Sequence, residues 1–303
     1  MATAREIRRR MSSIRNIGQI TKAMELIAVT RLRRAQARVL ASRPYAQKMR
    51  DVLGDLVERV TSAGADVTTD DEGQPIHALL ERRASVSRVG ALVLTTERGL
   101  CGALNANVIR AALQHIYDQQ NQGREADVIV VGRKGVLALR RQPVNINAQF
   151  VQLGDYPDIQ KVAPIARVAM DAFTTRQLDE VFLIYPRFVS TLRQEPTVSQ
   201  LLPILPPARG EEEQSRTSDY IYEPSPPEVL AALLPRYVEM QVYQAVLELI
   251  ASEFSARMVA MRNASDNAQE LLGDLRLGYN KARQTNITRE IIDVASGAAA
   301  GQR

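Results

Sequence analysis

Tryptophan is absent from this chain, cysteine occurs once, histidine twice, and aromatic residues make up only 5% of the sequence. With Cys101 alone, no intramolecular disulfide can form. Cys101, His77 and His115 are too few and too scattered for a Cys/His metal site. Such cysteine usage suits a reducing compartment. No run of about 18 apolar residues occurs, so no transmembrane helix is expected. The helical pattern starts within Met1–Met11, so neither a signal peptide nor an organelle transit peptide is expected there. With 45% hydrophobic and 24% charged residues the chain is globular. Scarce aromatics beside abundant Ala, Leu, Ile and Met suit helical bundles and coiled coils.

Acidic residues are nearly missing from the first 50 positions. Only Glu6 and Glu25 stand there against 13 Lys and Arg, a local balance of +11, while the whole chain of 303 residues carries +5. Residues 226–303 hold nine acids and eight bases. The positive field therefore sits on one end segment. It would attract an acidic partner: nucleic acid, anionic lipid or an acidic protein surface. Charge alone does not choose among them.

What is present begins with a heptad seam. Over residues 1–60, small or apolar positions recur at Ile7, Met11, Ile14, Gly18, Thr21, Met24 or Glu25, Ala28, Leu32, Ala35 and Val39. Steps of four and three in alternation predict a coiled-coil helix. Gly18 costs about 1 kcal/mol of helix propensity relative to Ala. Pro44 is expected to kink the helix or divide it. Residues 61–75 read as a linker. Over 76–206 the period changes. Short apolar runs at Val89–Thr95, Asp127–Val131, Glu180–Tyr185 and Thr197–Leu202 alternate with helical stretches at Asn105–Gln120, Arg133–Arg140 and Ile159–Arg176. That order predicts βαβ units around a largely parallel sheet. Residues 207–225 form a second linker.

Ser225-Pro-Pro-Glu228 is a capping box with Pro at the first helical position. From there little interrupts a helix before Gly297, although Pro235 predicts a local bend. Its seam runs through Phe254, Met258, Met261, Ser265, Ala268, Leu272, Leu275, Tyr279 and Ala282. At about 1.5 Å per residue, some 70 residues make a rod of roughly 100 Å, which must project. The fold class is therefore α/β: a long antiparallel coiled coil of the terminal helices (1–60 and 226–303) plus a central Rossmann-like α/β domain (76–206) with a mostly parallel sheet. The second helix is the longer, so its end should pass beyond Met1. There the register fails, and Ile287, Ile291, Val294 and Ala298 take over. A lone apolar tip in water requires an enclosing partner.

Chemistry-bearing motifs are weak. The turn Thr95–Asn105 follows a strand and precedes a helix, where nucleotide-binding sheets keep a glycine loop. Gly99 and Gly102 match neither G-x-G-x-x-G nor the P-loop, which favours a tight turn over a cofactor site. Cys101 has no histidine partner suggested by the sequence, so it reads as a packing residue. His77 and His115 read as surface or core residues. A groove-binding nucleic-acid helix is an alternative for the basic segment, but the seam continues through it, unlike a basic zipper. A dinucleotide enzyme on the middle sheet is another alternative, weakened by the absent fingerprint.

Three segments carry a resemblance. Ile7–Ala28 resembles the N-terminal helix of the ATP synthase gamma-subunit family. Arg98–Asn105 resembles that family's central-domain turn. Ile287–Ala300, with Thr288, Glu290, Asp293, Gly297 and Ala298, is similar to its C-terminal signature. Tyr220–Pro224 and Tyr279–Gln284 fit as well, so the likeness spans the whole chain in order. It implies the rotating central stalk of a proton-translocating F-type ATP synthase, transmitting torque between a membrane ring and a catalytic ring. By this likeness the chain has no active site or cofactor of its own. Its implied partners are three alpha and three beta subunits, the epsilon subunit and the membrane c-ring, with no nucleic acid. The implied place is peripheral, on the cytoplasmic face of the bacterial plasma membrane. Met24, Arg257, Arg283, Gln284, Thr288, Glu290 and Asp293 align with positions facing the alpha/beta ring. Tyr220, Tyr222 and Glu223 align with the foot on the membrane ring. The cysteine pair of the chloroplast form has no counterpart, so no thiol switch is expected.

Overall fold

The computed structural model describes residues 4–60, 77–205 and 222–300. Both predicted linkers lie outside the described residues, apart from 222–225. The chain divides into two compact units, Met1–Thr30 with Arg257–Arg303, and Arg31–Ala256. Two long helices, α1 (Ala4–Val60) and α5 (Pro226–Ala300), contribute to both.

The Arg31–Ala256 unit holds the sheet. In chain order its elements are β1 (Arg88–Leu94), α2 (Leu104–Asn121), β2 (Glu125–Val131), α3 (Arg133–Leu139), β3 (Asn145–Phe150), α4 (Ile159–Thr174), β4 (Glu180–Phe188) and β5 (Gln194–Leu202). The strands lie in the order β3-β2-β1-β4-β5. The first four are parallel, and β5 runs antiparallel to β4. Every β1 side chain after Arg88 is buried, as a central strand covered on both faces requires. One face packs Val93, Val128 and Val130 against Val108, Ala112 and Ile116 of α2 and Val136 and Leu139 of α3.

The β3 strand was not among the expected strands. Its sequence, Asn-Ile-Asn-Ala-Gln-Phe, alternates exposed polar residues with half-buried ones, so no apolar run marks it. It is an edge strand, where polar side chains discourage further pairing. Asn145 and Asn147 both donate to the Asp127 carboxylate on β2, at 2.7 and 3.0 Å.

The division that Pro44 could have made does not occur. Helix α1 continues through it as one element. Pro44 lies among exposed side chains, with Leu40 and Tyr45 both 58% exposed. Leu32, Ala35, Val39, Met49, Leu53 and Leu56 remain buried on the opposite side. Pro235 likewise sits inside α5 without ending it. That helix starts where expected, just after Ser225, whose Oγ donates to Glu228 Oε1 at 2.9 Å. It passes Gly297 and continues to Ala300.

Candidate functional site

In the unit formed by Met1–Thr30 and Arg257–Arg303, the two helices run antiparallel. A Cβ on Gly18 would stand 3.4 Å from the Ala268 Cβ, and Arg262 Nε donates to Glu25 Oε1 at 3.0 Å. As the number falls on α1 it rises on α5. Gly18 thus lies in the seam, facing Ala268. Every expected seam position of α1 in this unit, from Ile7 to Ala28, is half-buried or buried, as are Met258, Met261, Ser265, Ala268, Leu272, Leu275, Tyr279 and Ala282. The seam therefore continues through the Arg-rich stretch. Arg8, Arg9, Arg10, Arg15 and Lys22 all face water.

Glu25 is the charged group inside that seam, at 4% exposure. Lys22 Nζ sits 2.8 Å from Oε2 on the same helix, and Arg262 reaches across from the other. Lys22 first and then Arg262 hold the carboxyl below the usual carboxylate range, outweighing the opposing effect of burial. A polar residue at one seam position fixes register at some cost in stability. A lowered folded-state pKa adds stability that is complete above the unfolded carboxylate value and is lost as pH falls through the folded one. Acid titration of helix content should therefore show a loss below about pH 4.5. Glu25→Gln should flatten that acid limb, and an unchanged limb would remove Glu25 from the account.

Beyond Ala282 every α5 side chain described is exposed. Ile287 is 46% exposed, Ile291 63%, Ile292 59% and Val294 73%. The apolar side chains expected at this tip are thus exposed. Arg283, Gln284 and Thr288 are exposed on it, and Thr288 Oγ1 donates back to the Gln284 carbonyl at 3.0 Å. Glu290 and Asp293 lie on the same helix. Met24 and Arg257 are half-buried. From Arg257 to Arg283 the helix rises roughly 39 Å. The residues expected to face the alpha/beta ring therefore form two separate groups, Met24 with Arg257 and the stretch from Arg283 to Asp293.

One further feature escaped the sequence reading. On α1, Ile17, Ile20 and Ile27 are 51–56% exposed, and with Met24 they follow steps of three, four and three. This is a second apolar stripe beside the seam. The spacing was available in the sequence, but the seam alone was traced.

In the Arg31–Ala256 unit, Tyr222 OH donates to Asp55 Oδ2 at 2.7 Å. Asp55 is 3% exposed and belongs to α1. The Tyr222 hydroxyl is therefore engaged within the chain, whereas Glu223 is exposed. Tyr220 lies outside the described residues. In the turn after β1, Thr96 N bonds Asn105 Oδ1 at 3.1 Å and Gly135 N bonds Thr95 Oγ1 at 2.8 Å. Gly132, at φ 90°, leaves no room for a Cβ, which would fall 2.1 Å from the Thr95 carbonyl oxygen. The turn's own polar groups fill it, leaving the shape of a tight strand-to-helix junction. Cys101 is buried at 2% exposure and takes an Asn105 Nδ2 contact at 3.2 Å. His115 meets the Phe182 ring at a tilt of 57° with centroids 4.5 Å apart, and His77 Nδ1 accepts from Leu79 N. Burial lowers the pKa of both imidazoles. Among the described residues, no three His, Cys, Asp or Glu could hold a metal ion, and no helix is long and apolar enough to cross a membrane.

With this geometry in place, comparison with known proteins is informative. The family described as ATP synthase matches residues 3–300. The ATP synthase gamma chain of Roseiflexus castenholzii is 49% identical over 300 residues, covering 99% of both chains. That of Herpetosiphon aurantiacus is 47% identical over 305 residues, again covering 99% of each. Among solved structures, the central stalk and c-ring of the Tetrahymena thermophila mitochondrial ATP synthase matches with TM-score 0.57 and 25% identity, over 81% of this chain and 99% of that one. The rotor of the Euglena gracilis mitochondrial enzyme shares the fold, with TM-score 0.62 and 21% identity over 94% and 98%.

Proposed function

The chain belongs to the ATP synthase gamma-chain family, and from that premise we propose how its parts serve a rotating central stalk. The observation that carries the proposal is the bare end of α5. Ile287, Ile291 and Val294 are 46–73% exposed there, an apolar surface that favours an enclosing partner. An apolar collar formed by alternating alpha and beta subunits, three of each, would enclose it and act as a bearing. The Ile17, Ile20 and Ile27 stripe and the exposed Arg face of α1 would meet that ring lower down. There the positive field would favour acidic loops of beta. The proposed contacts are Met24, Arg257, Arg283, Gln284, Thr288, Glu290 and Asp293. The helix segments 1–60 and 226–303 would then be the torque-bearing parts, and 76–206 the part that seats them.

Tyr220, Tyr222 and Glu223 would form the foot on the membrane c-ring, with the epsilon subunit beside it. The chain would be held at the cytoplasmic face of the bacterial plasma membrane through these partners. It would carry no catalytic step itself. Each proton crossing supplies about 2.3 kcal/mol per 100 mV. Rotation presents a different face of an unevenly charged shaft to each beta subunit, and the differential contact shifts nucleotide affinity.

Three variants test the assignments. Replacing Arg283 and Gln284 together by Ala should lower ATP-driven proton pumping about fivefold, equivalent to roughly 1 kcal/mol. Full pumping by the double variant would remove both residues from the contact. At the foot, the bond from Tyr222 to Asp55 predicts a division of labour. Tyr222→Phe should destabilise the chain by about 1–2 kcal/mol in urea unfolding, because a buried carboxylate loses a donor. Glu223→Gln should leave unfolding unchanged and weaken retention of the c-ring. Equal effects of the two on stability would contradict that division.

A further inference from the structure

We infer that the loop between β3 and α4, residues 151–158, is the grip through which the α/β layer holds α1, and that Arg31, Arg38, Asp155 and Tyr156 set the torsional stiffness of the stalk. The inference rests on the rotor reading above.

The loop is held at its base. Gln152 and Gly154 both have left-handed backbone, at φ 63° and 83°. Gln152 N donates to Glu97 Oε1 at 2.6 Å, and the other Glu97 oxygen accepts from Arg133 N at 3.4 Å. A carboxylate from the β1 turn thus ties this loop to the start of α3. The loop's tip then reaches the long helices. Asp155 pairs with Arg31 of α1 and lies 3.9 Å from Arg98. The Arg38 guanidinium stands 4.9 Å over the Tyr156 ring. Arg31 and Arg38 are seven residues apart, two turns along one face of α1. Tyr156 also meets Phe254 of α5, with centroids 6.5 Å apart, and Arg31 covers the same Phe254 ring at 5.7 Å. Pro157 behind it is buried.

Helix α5 is gripped from elsewhere. Glu248 accepts from Phe188 N at 3.2 Å, Ser252 Oγ donates to the Pro186 carbonyl at 3.0 Å, and Ser255 Oγ donates to Thr191 O at 2.5 Å. Those partners belong to β4 and its turn into β5. The two grips therefore leave the sheet from β3 and from the β4–β5 side. In a five-stranded sheet of order β3-β2-β1-β4-β5, β3 is an edge strand and β4 stands three strands away. The two holds converge on neighbouring α5 residues, Phe254 and Ser255, so together they clamp α1 and α5 against the α/β layer at one place. The β4–β5 hold on α5 uses backbone groups. The hold on α1 uses charged and aromatic side chains, so it is the one that substitution can loosen without disturbing the sheet.

The test uses the assembled complex with its alpha/beta ring fixed to a surface and a bead on α2 at Gln120→Cys. With nucleotide exchange stalled, the bead's angular variance reports torsional stiffness. Asp155→Asn with Tyr156→Leu should raise that variance about twofold while ATP hydrolysis stays within twofold of the parent. Arg31→Asp alone should do the same, and Arg31→Asp combined with Asp155→Arg should restore the parent variance. Unchanged variance in the Asp155→Asn, Tyr156→Leu complex overturns the grip, as does failure of that complex to assemble or failure of the charge exchange to restore stiffness. If the parent bead never steps with ATP, the rotor reading fails instead, and the two failures are told apart.

Discussion

Replacing Ile287, Ile291 and Val294 together by Asp is expected to reduce ATP-driven proton pumping to less than a tenth of the parent level, or to prevent assembly. These side chains are 46–73% exposed in the isolated chain. Full burial of each aliphatic side chain contributes about 1.5–3 kcal/mol. Placing a carboxylate in an apolar collar adds a desolvation cost of several kcal/mol per ion. The triple replacement by Leu keeps the apolar surface and should pump within about twofold of the parent. Measuring both variants in inverted vesicles separates enclosure of the tip from mere shape. Normal pumping by the Asp variant would mean that the tip never enters an apolar surround.

The second large effect concerns the helix pair itself. Phe254→Ala should destabilise the chain by about 3–5 kcal/mol, read as a shift of the urea midpoint followed by helix signal. Phe254 is 1% exposed and is among the largest fully buried side chains. It lies beneath Arg31 and beside Tyr156, so truncation leaves a cavity shared by both helices and the loop 151–158. Phe254→Leu fills most of that volume and should cost less than half as much. A cost under about 1 kcal/mol for the Ala variant would show that the site collapses freely, contrary to a stiff shaft.

The long helices were legible because one physical constraint dominates them. A seam must recur every three or four residues, and Ile7 to Ala28 and Met258 to Ala282 each keep that step. The overhang was legible for the same reason, since the step fails after Ala282 where exposure begins. The inner strands were legible as short apolar runs. The β3 strand was not, because an edge strand can satisfy its backbone while carrying Asn145, Asn147 and Gln149 outward. Pro44 does not divide α1, because the buried seam on the other side of the helix, from Leu32 to Leu56, continues through it. The Tyr222 bond to Asp55 and the Arg31 pair with Asp155 join residues 167 and 124 positions apart. No local pattern encodes such a pair. Candidate ring contacts came from resemblance to a family, whereas their separation into two groups required the helix geometry.

The most direct measurement is rotation. A bead attached at Gln120→Cys, on the exposed side of α2, can be followed under the microscope in a complex fixed by its alpha/beta ring. Cys101 is 2% exposed, so labelling is directed to the new thiol. The account predicts ATP-dependent turning in one direction with threefold periodicity. A complex that hydrolyses ATP at the normal rate while the bead stays fixed in angle would contradict it.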